Sequence, residues 1–500
     1  MLTGNLANEA EIAPENVPIN LFNLALDTEL AADLEDFLSL SNTGINYLRH
    51  PRFQKAIVRH GIESAVRIIL FSYTRFNTST QQDILESSTP EQEDARLLTL
   101  MRSNMNQILS DVSALPEFSA QYPVLSPTIS NLRRFLSSPQ IQLQVCSCIM
   151  LGNVARSDKA CEEFVHTSRV HKPLIAVLTD ATDSQLLYAT LGFLKNLALP
   201  ARNKVELGDS GLMEILPRLW TMDTLPQIQH ASISLARQLI IGNFHNVRRI
   251  CTRLSEDTSS PANEHSKLSI LIGFFQRTDA EPIKMEIARL LTAICRVYTS
   301  PNQNIADVDR RRKEFFDRHP DLGRPLSYMV SQKKWPVVRS EGWFVMALIA
   351  RTPEGVDCIA DILHEPHVFQ TLVELLTGKS ITPPTPTDTF VNDANSNAIE
   401  GVPSTASPSV VGGRDATIQR IDRENALVLV SELLRQRGEQ MARLRRTVFE
   451  ELLQGGGLMH LTYAQVQERE DFFDGRVRRI NSGQAVQETL WTGTQARRSS

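Results

Sequence analysis

The stretches Leu143-Gln-Val-Cys-Ser-Cys-Ile-Met-Leu-Gly-Asn-Val-Ala155 and Leu186-Leu-Tyr-Ala-Thr-Leu-Gly-Phe-Leu-Lys-Asn-Leu-Ala198 align end to end. In the first, Val145, Ile149 and Val154, with Leu143 and Leu151, recur at the spacing of one buried helix face. The Leu-Gly-Asn-Val-Ala and Leu-Lys-Asn-Leu-Ala cores coincide, setting Asn153 and Asn196 43 residues apart. A third copy at 231–241 puts Gln238 at the Asn position, 42 residues further on. Weaker copies follow at 287–295, 343–350 and 426–434. A shorter apolar helix precedes the long ones, as at 174–178, 215–219 and 369–376. It follows a loop carrying Gly, Pro or Asp, such as Asp209-Ser-Gly-Leu212, Glu365-Pro366 or His60-Gly-Ile62. A period near 42 built from a short and a long helix is the armadillo/HEAT pattern. One such unit cannot bury its own apolar face, whereas stacked neighbours can. The expected fold is all-α, an armadillo/HEAT-type right-handed α-solenoid.

The flanks read differently from the middle. Residues 1–18 are polar and aperiodic and are expected to be disordered. The repeat array is expected over 19–376, with 53–75 as an early or capping repeat and a Ser/Thr/Gln/Glu-rich loop at 77–94. A Pro/Ser/Thr-rich insertion over 377–414 gathers Pro383, Pro384, Pro386, Pro403 and Pro408 within 381–413 and has too few large apolar residues to build a core. Armadillo-like helices are expected again over 415–473, followed by a flexible tail at 474–500.

Composition narrows the function classes. The 500 residues carry 57 acidic and 52 basic side chains, a net charge of −5, which argues against a polybasic nucleic-acid binder. No run approaches the roughly 20 apolar residues of a spanning helix, so no integral membrane insertion is expected. Residues 1–13 lack Lys, Arg and a sustained apolar run, unlike a secretory signal. The chain ends Ala-Arg-Arg-Ser-Ser500 rather than in a prenylated Cys box. With six cysteines in 500 residues there is no disulfide framework, and a cytosolic protein is expected.

Motifs for chemistry are missing where they would be needed. Gly378-Lys-Ser380 has Val373 where a phosphate-binding loop requires its first Gly, and Gly455-Gly-Gly457 reads as a helix end. Cys146 and Cys148 fall on different helix faces, and Cys161, His166 and His171 lack a fourth ligand and tight spacing. Between His364 and His367, Pro366 interrupts the helix that would align them. No catalytic residue, metal or cofactor is expected, and the chain is not read as an enzyme.

Charge and amide placement say more. Residues 1–48 hold eight acidic side chains, Glu9 to Asp36, and no Lys or Arg. Such a strip attracts a basic partner segment, or else merely solubilises helix faces. The run Arg310-Arg-Arg-Lys313 is offset by Asp309, Glu314 and Asp317 and reads as a solvated helix face. Asn153 and Asn196 share one repeat register on the long helix. There an amide serves either an extended peptide backbone or a neighbouring helix.

At these residues the sequence resembles the armadillo-repeat family of small-GTPase GDP-dissociation stimulators (smgGDS). Leu151-Gly-Asn-Val-Ala-Arg-Ser-Asp158, Leu194-Lys-Asn-Leu-Ala-Leu-Pro200 with Asn203-Lys204, and Glu341-Gly-Trp-Phe-Val-Met-Ala-Leu-Ile-Ala350 carry the likeness. It is best over 125–245 and 335–375. The resemblance implies a cytosolic scaffold for Rho- and Ras-type small GTPases, GDP-bound or nucleotide-free, that recognises a polybasic, prenylated tail and promotes GDP release. It implies a tail and lipid region near Asn153, Arg156, Asp158, Lys195, Asn196, Asn203 and Lys204, and a GTPase surface near Gln238 and Glu341. The sequence departs from the family in the 381–413 insertion, in Gln238, and in Leu348 at the Asn position. The alternative is an armadillo peptide-binding adaptor without exchange activity. Its expected Asn–Trp ladder is missing, because none of the four Trp lies near Asn153 or Asn196 in the repeat. An enzyme with an armadillo accessory region would need a catalytic domain that no stretch is left to supply.

Overall fold

Helices start where the sequence supplies the start signals. Proline stands at the first position of Pro51–His60, Pro127–Phe135, Pro226–Ile240 and Pro336–Ala350, where its missing N–H costs nothing. Elsewhere a side-chain oxygen accepts from an orphan N–H. Asp183 takes Leu186 N, Asn243 takes Asn246 N, and Ser266 closes a capping box with Ser269. The acidic strip is used in the same way, since Asp33 caps Leu34–Tyr47 and Glu35 and Asp36 fill its first turn.

The computed structural model describes residues 12–76, 90–300, 308–378 and 411–455. Among them there is no strand, only an isolated bridge between Arg253 and Ser266. The chain divides into two units, Met1–Pro325 and Leu326–Ser500.

The first unit is a stack of repeated helices, an α-solenoid of armadillo type. Its long helices Leu34–Tyr47, Pro90–Ser113, Ile141–Val154, Ser184–Leu197, Pro226–Ile240 and Glu281–Thr299 each pack on the next. Each of the last five also packs on the shorter helix before it: Ile62–Arg75, Pro127–Phe135, His171–Asp180, Leu212–Trp220 and Lys267–Arg277. The core between these layers is aliphatic, with Leu187, Leu194, Leu216, Leu239 and Leu291 fully buried. Each such side chain contributes about 1.5–3 kcal/mol relative to exposure.

The repeat is one helix richer than its sequence pattern indicates. A first helix precedes each pair: Asp158–Glu162 extended by a π-turn at Glu163–Thr167, then Ala201–Asp209, then Phe244–Cys251. Ala201–Asp209 escapes hydrophobic periodicity because two of its four buried residues are Asn203 and Lys204.

In the second unit, Pro336–Ala350 lies along Val411–Arg437, with Val356–Ile362, Pro366–Thr377 and Arg443–Gly455 beside them. Ion pairs tie them: Arg339 Nε to Asp422 Oδ2 at 2.8 Å and Arg351, at the end of Pro336–Ala350, to Glu432 at 3.6 Å, while Arg437 reaches Asp357 on Val356–Ile362.

Several expected boundaries move. Val17–Leu26 begins inside the polar 1–18 segment, Pro90–Ser113 takes the end of the 77–94 loop, and Val411–Arg437 takes the end of the 377–414 insertion. The 53–75 repeat is two helices, Pro51–His60 and Ile62–Arg75, parted at Gly61. Residues 1–11, 77–89, 379–410 and 456–500, including most of the insertion and the whole tail, lie outside the described residues.

Candidate functional site

The long-helix layer of the first unit carries Asn153, Lys195, Asn196 and Gln238, and it is stitched by amides. At its N-terminal edge the Asn106 amide donates to Gln142 O and Oε1 at 3.0 and 2.7 Å. Gln142 in turn donates to Gln185 Oε1 at 3.0 Å, so three successive helices are joined. At the other edge Asn153 Nδ2 donates to Ser110 O and Ser113 Oγ, at 3.2 and 2.9 Å. Asn196 Nδ2 donates to Gly152 O at 2.9 Å. Ser110 and Gly152 lie in the last turns of their helices; Ser110 O also accepts from Ala114 N at 3.1 Å, so the Asn153 bond is an added one. The shared register of Asn153 and Asn196 therefore serves helix-to-helix contact, with each reaching back to the preceding long helix. Their amide N–H groups are engaged by the fold rather than offered to an extended peptide. Arg156 joins them, donating to Ala114 O at 2.9 Å and to Asn153 Oδ1 at 3.2 Å.

Asn203 and Lys204 do not form a surface. Asn203 is fully buried and donates to Leu197 O at 2.9 Å, closing the end of the long helix before it. Asn246, 43 residues on, does the same for Leu239 O at 3.0 Å and also takes Lys204 O at 2.8 Å. Lys204, buried, sends Nζ to Ile241 O at 2.8 Å. Gly208 allows this approach, because a Cβ there would collide with Asn246 Oδ1. Both residues are structural caps of helix C-termini, which corrects their expected place in a tail site.

Glu341 is corrected too. It lies in the second unit on Pro336–Ala350 and is only 5% exposed, so it cannot present a carboxylate to a partner. Gln238 is half-buried on Pro226–Ile240. Asp158 is exposed in the first turn of Asp158–Glu162, behind the Ser157 cap. Lys195 is half-buried in the last turn of Ser184–Leu197.

Part of the layer's surface is a stripe along Ser184–Leu197. Gln185, Tyr188 and Gly192 are exposed, Tyr188 by 45%, and open space surrounds the position of a Cβ at Gly192. With Lys195 a turn further on, the stripe offers an aromatic face, a cation and room between them. Tyr188 and Gly192 belong to the repeat quoted at the outset. Their exposure follows from the rotation of the helix, which periodicity alone does not fix.

The sequence also concealed a buried ion pair one repeat on. Arg237 Nε donates to Glu286 Oε1 at 2.7 Å, joining Pro226–Ile240 to Glu281–Thr299, with both residues under a tenth exposed. Burial alone would push the Glu286 carboxyl up. Arg237, Arg289 and His230 outweigh it and hold the group at about 2. The available signal was weak, namely a lone Arg in a helix that contains no acid. The cysteines carry no reactive thiolate in this region. Burial pushes Cys146, Cys148 and Cys161 up to about 12. Among the described residues no group of three or more His, Cys, Asp and Glu is placed to hold a metal ion, and no helix is long and apolar enough to cross a membrane.

No protein-family profile matches the chain. The GTPase-GDP dissociation stimulator vimar of Drosophila melanogaster is 35% identical over 106 residues, which is 20% of this chain and 16% of that protein. Among solved structures, an engineered protein superposes with a TM-score of 0.52 at 17% identity, over 91% of this chain and 97% of its own. A designed armadillo repeat protein in complex with the peptide (KR)4 reaches a TM-score of 0.40 at 14% identity, over 59% of this chain and 98% of its own.

Proposed function

We propose that this chain binds small GTPases of the Rho/Ras type through a basic, prenyl-bearing tail and promotes release of their GDP. The observation that carries the reading is the 35% identity over 106 residues to a protein described as a GTPase-GDP dissociation stimulator. A stack of helical repeats suits such work, because it offers an extended surface on a rigid frame. The mechanism is non-covalent. Contacts made better to a GTPase with a loosened nucleotide site than to its closed form shift the population towards release. Burying a prenyl chain adds up to about 0.8 kcal/mol per CH₂ before the cost of opening a pocket. Tyr188, Gly192 and Lys195 replace Asn203, Lys204 and Glu341 as the residues expected to touch the partner.

Release of a fluorescent GDP analogue from purified Rho- and Ras-type GTPases, prenylated and unmodified, tests the reading. Acceleration that falls at least about tenfold in Tyr188→Ala with Gly192→Leu, at unchanged helicity, is the expected outcome. That loss equals about 1.4 kcal/mol of transition-state binding. Stable association without acceleration would leave a GTPase chaperone. Absence of both would turn the assignment to a peptide adaptor.

A further inference from the structure

The linker between the first and second helices of the 158–197 repeat is unlike its neighbour. In the next repeat, Ser210-Gly211-Leu212 turns the chain with Gly211 at φ 88°, a left-handed conformation that costs glycine nothing. The corresponding residues 42 positions earlier are Ser168-Arg169-Val170, and Arg169 adopts φ 50°. It is the only residue other than glycine with positive φ among those described. A left-handed L-residue costs roughly 1–2 kcal/mol. The backbone holds it there through Ser168 N to Glu163 O at 2.9 Å and Val170 N to Phe164 O at 3.1 Å. A glycine would meet the turn without that cost; the arginine instead puts an exposed guanidinium at the linker.

Its surroundings indicate a use for it. Arg133, in the last turn of Pro127–Phe135, donates to Ser168 O at 3.2 Å and brings that helix end against the linker. Arg134 follows it, and Lys172 opens the second helix three residues past Arg169. Arg134, His166, Arg169 and Lys172 are all exposed, and among the described residues none has an acidic partner within salt-bridge range. Of the nearby acids, Glu162 pairs with Arg202 at 3.3 Å and Glu163 with Lys159 at 4.0 Å, whereas Glu206 faces the neutral His171 ring at 3.8 Å and keeps its charge. The corresponding position in the next repeat reverses the sign, with Glu214 in place of Lys172, and Glu214 is paired with Arg249. In a chain of net charge −5, four exposed basic side chains without an acidic partner thus lie around one linker.

We infer that Arg134, Arg169 and Lys172, backed by Arg133 and His166, form a docking site for an acidic polypeptide segment. Guanidinium forks take carboxylates in paired hydrogen bonds, and an extended acidic segment offers several along its length. The site is independent of the exchange activity proposed above and lies on a different part of the repeat from Tyr188.

The test is fluorescence anisotropy of a labelled peptide of six glutamates flanked by glycines, with the full chain, at about 50 and 300 mM NaCl. Binding at low salt that weakens several-fold at high salt is expected. The triple variant Arg134→Glu/Arg169→Gly/Lys172→Glu should weaken it at least about tenfold, while Lys333→Glu/Lys334→Glu, reversing exposed charges in the second unit, should leave it within about twofold. Arg169→Gly alone should weaken the peptide while leaving the urea midpoint unchanged or raised, an outcome that a purely structural arginine does not give. If the triple variant loses helicity, Arg134→Gln/Lys172→Gln decides by the same comparison. The inference is overturned if the wild-type chain does not bind the peptide, if both charge-reversed variants lose it equally, or if phosphatidylserine vesicles bind where the peptide does not.

Discussion

Two seams of one helical layer are built from different chemistry. Between Ile141–Val154 and Ser184–Leu197 the polar contacts are neutral: the amides of Gln142 with Gln185 and of Asn196 with Gly152 O, and Cys148 Sγ beside Thr190 Oγ1. Between Pro226–Ile240 and Glu281–Thr299 the contact is a buried ion pair, Arg237 with Glu286. An amide that loses its partner leaves one dipole to be solvated, whereas a buried charge that loses its partner stays charged in a poor solvent. The first seam therefore tolerates substitution and is indifferent to pH. The second is fragile to single changes and sensitive to acid.

The largest effect comes from breaking the ionic seam on one side. Glu286→Ala leaves Arg237 buried without its carboxylate and should cost about 3–5 kcal/mol in urea unfolding. The double variant Arg237→Met/Glu286→Leu should return to near wild-type stability, since the packing is kept and no charge remains. A single variant losing less than about 1 kcal/mol would put the two seams on the same footing.

The next effect is a pH dependence with two windows. His319 is 2% exposed, bonded through its ring nitrogens to Ser266 Oγ and Phe315 O at 2.7 Å each, and burial lowers it to about 4. A histidine whose folded pKa lies below its unfolded value of 6.5 contributes stability that is present above pH 6.5. That stability is lost as pH falls through 4, and it amounts to roughly 3 kcal/mol here. His171, also buried and lowered, acts in the same direction. Glu286, at about 2 against an ordinary 4.5, contributes above pH 4.5 and loses that contribution as pH falls towards 2. His319→Gln should flatten the stability profile between pH 6.5 and 4 and leave the more acidic fall in place. An unchanged slope in that variant would remove His319 from the account.

The smallest effect belongs to the amide seam. Asn196→Ala should cost about 1 kcal/mol, with no change in pH dependence and full helicity by circular dichroism. A loss comparable to that of Glu286→Ala would mean that this amide carries more of the stack than its one hydrogen bond to Gly152 O.

The long and second helices were legible because their apolar residues repeat at 3.6-residue spacing and their starts carry Pro, Ser, Asp or Asn. The first helix of each repeat was not. In Ala201–Asp209 the buried face includes Asn203 and Lys204, whose polar atoms are satisfied by carbonyls of other helices, and periodicity reads such positions as solvent-facing. The family resemblance, carried over residue by residue, put Asn203, Lys204 and Glu341 on a binding surface, and the structure buries all three. Asn153 and Asn196 were correctly singled out as one register, yet whether an amide faces a partner or a neighbouring helix depends on where that helix lies.

By itself the sequence determined the all-α repeat, its period near 42 and the placement of the long helices, because those depend on local propensity and on the spacing of apolar residues. The tertiary structure decided which polar side chains are consumed in packing, which cations meet across a linker, and that Arg237 lies within reach of Glu286. Those outcomes depend on the rotation and approach of helices tens of residues apart, and a carbonyl at a helix end attracts any donor that the fold brings to it.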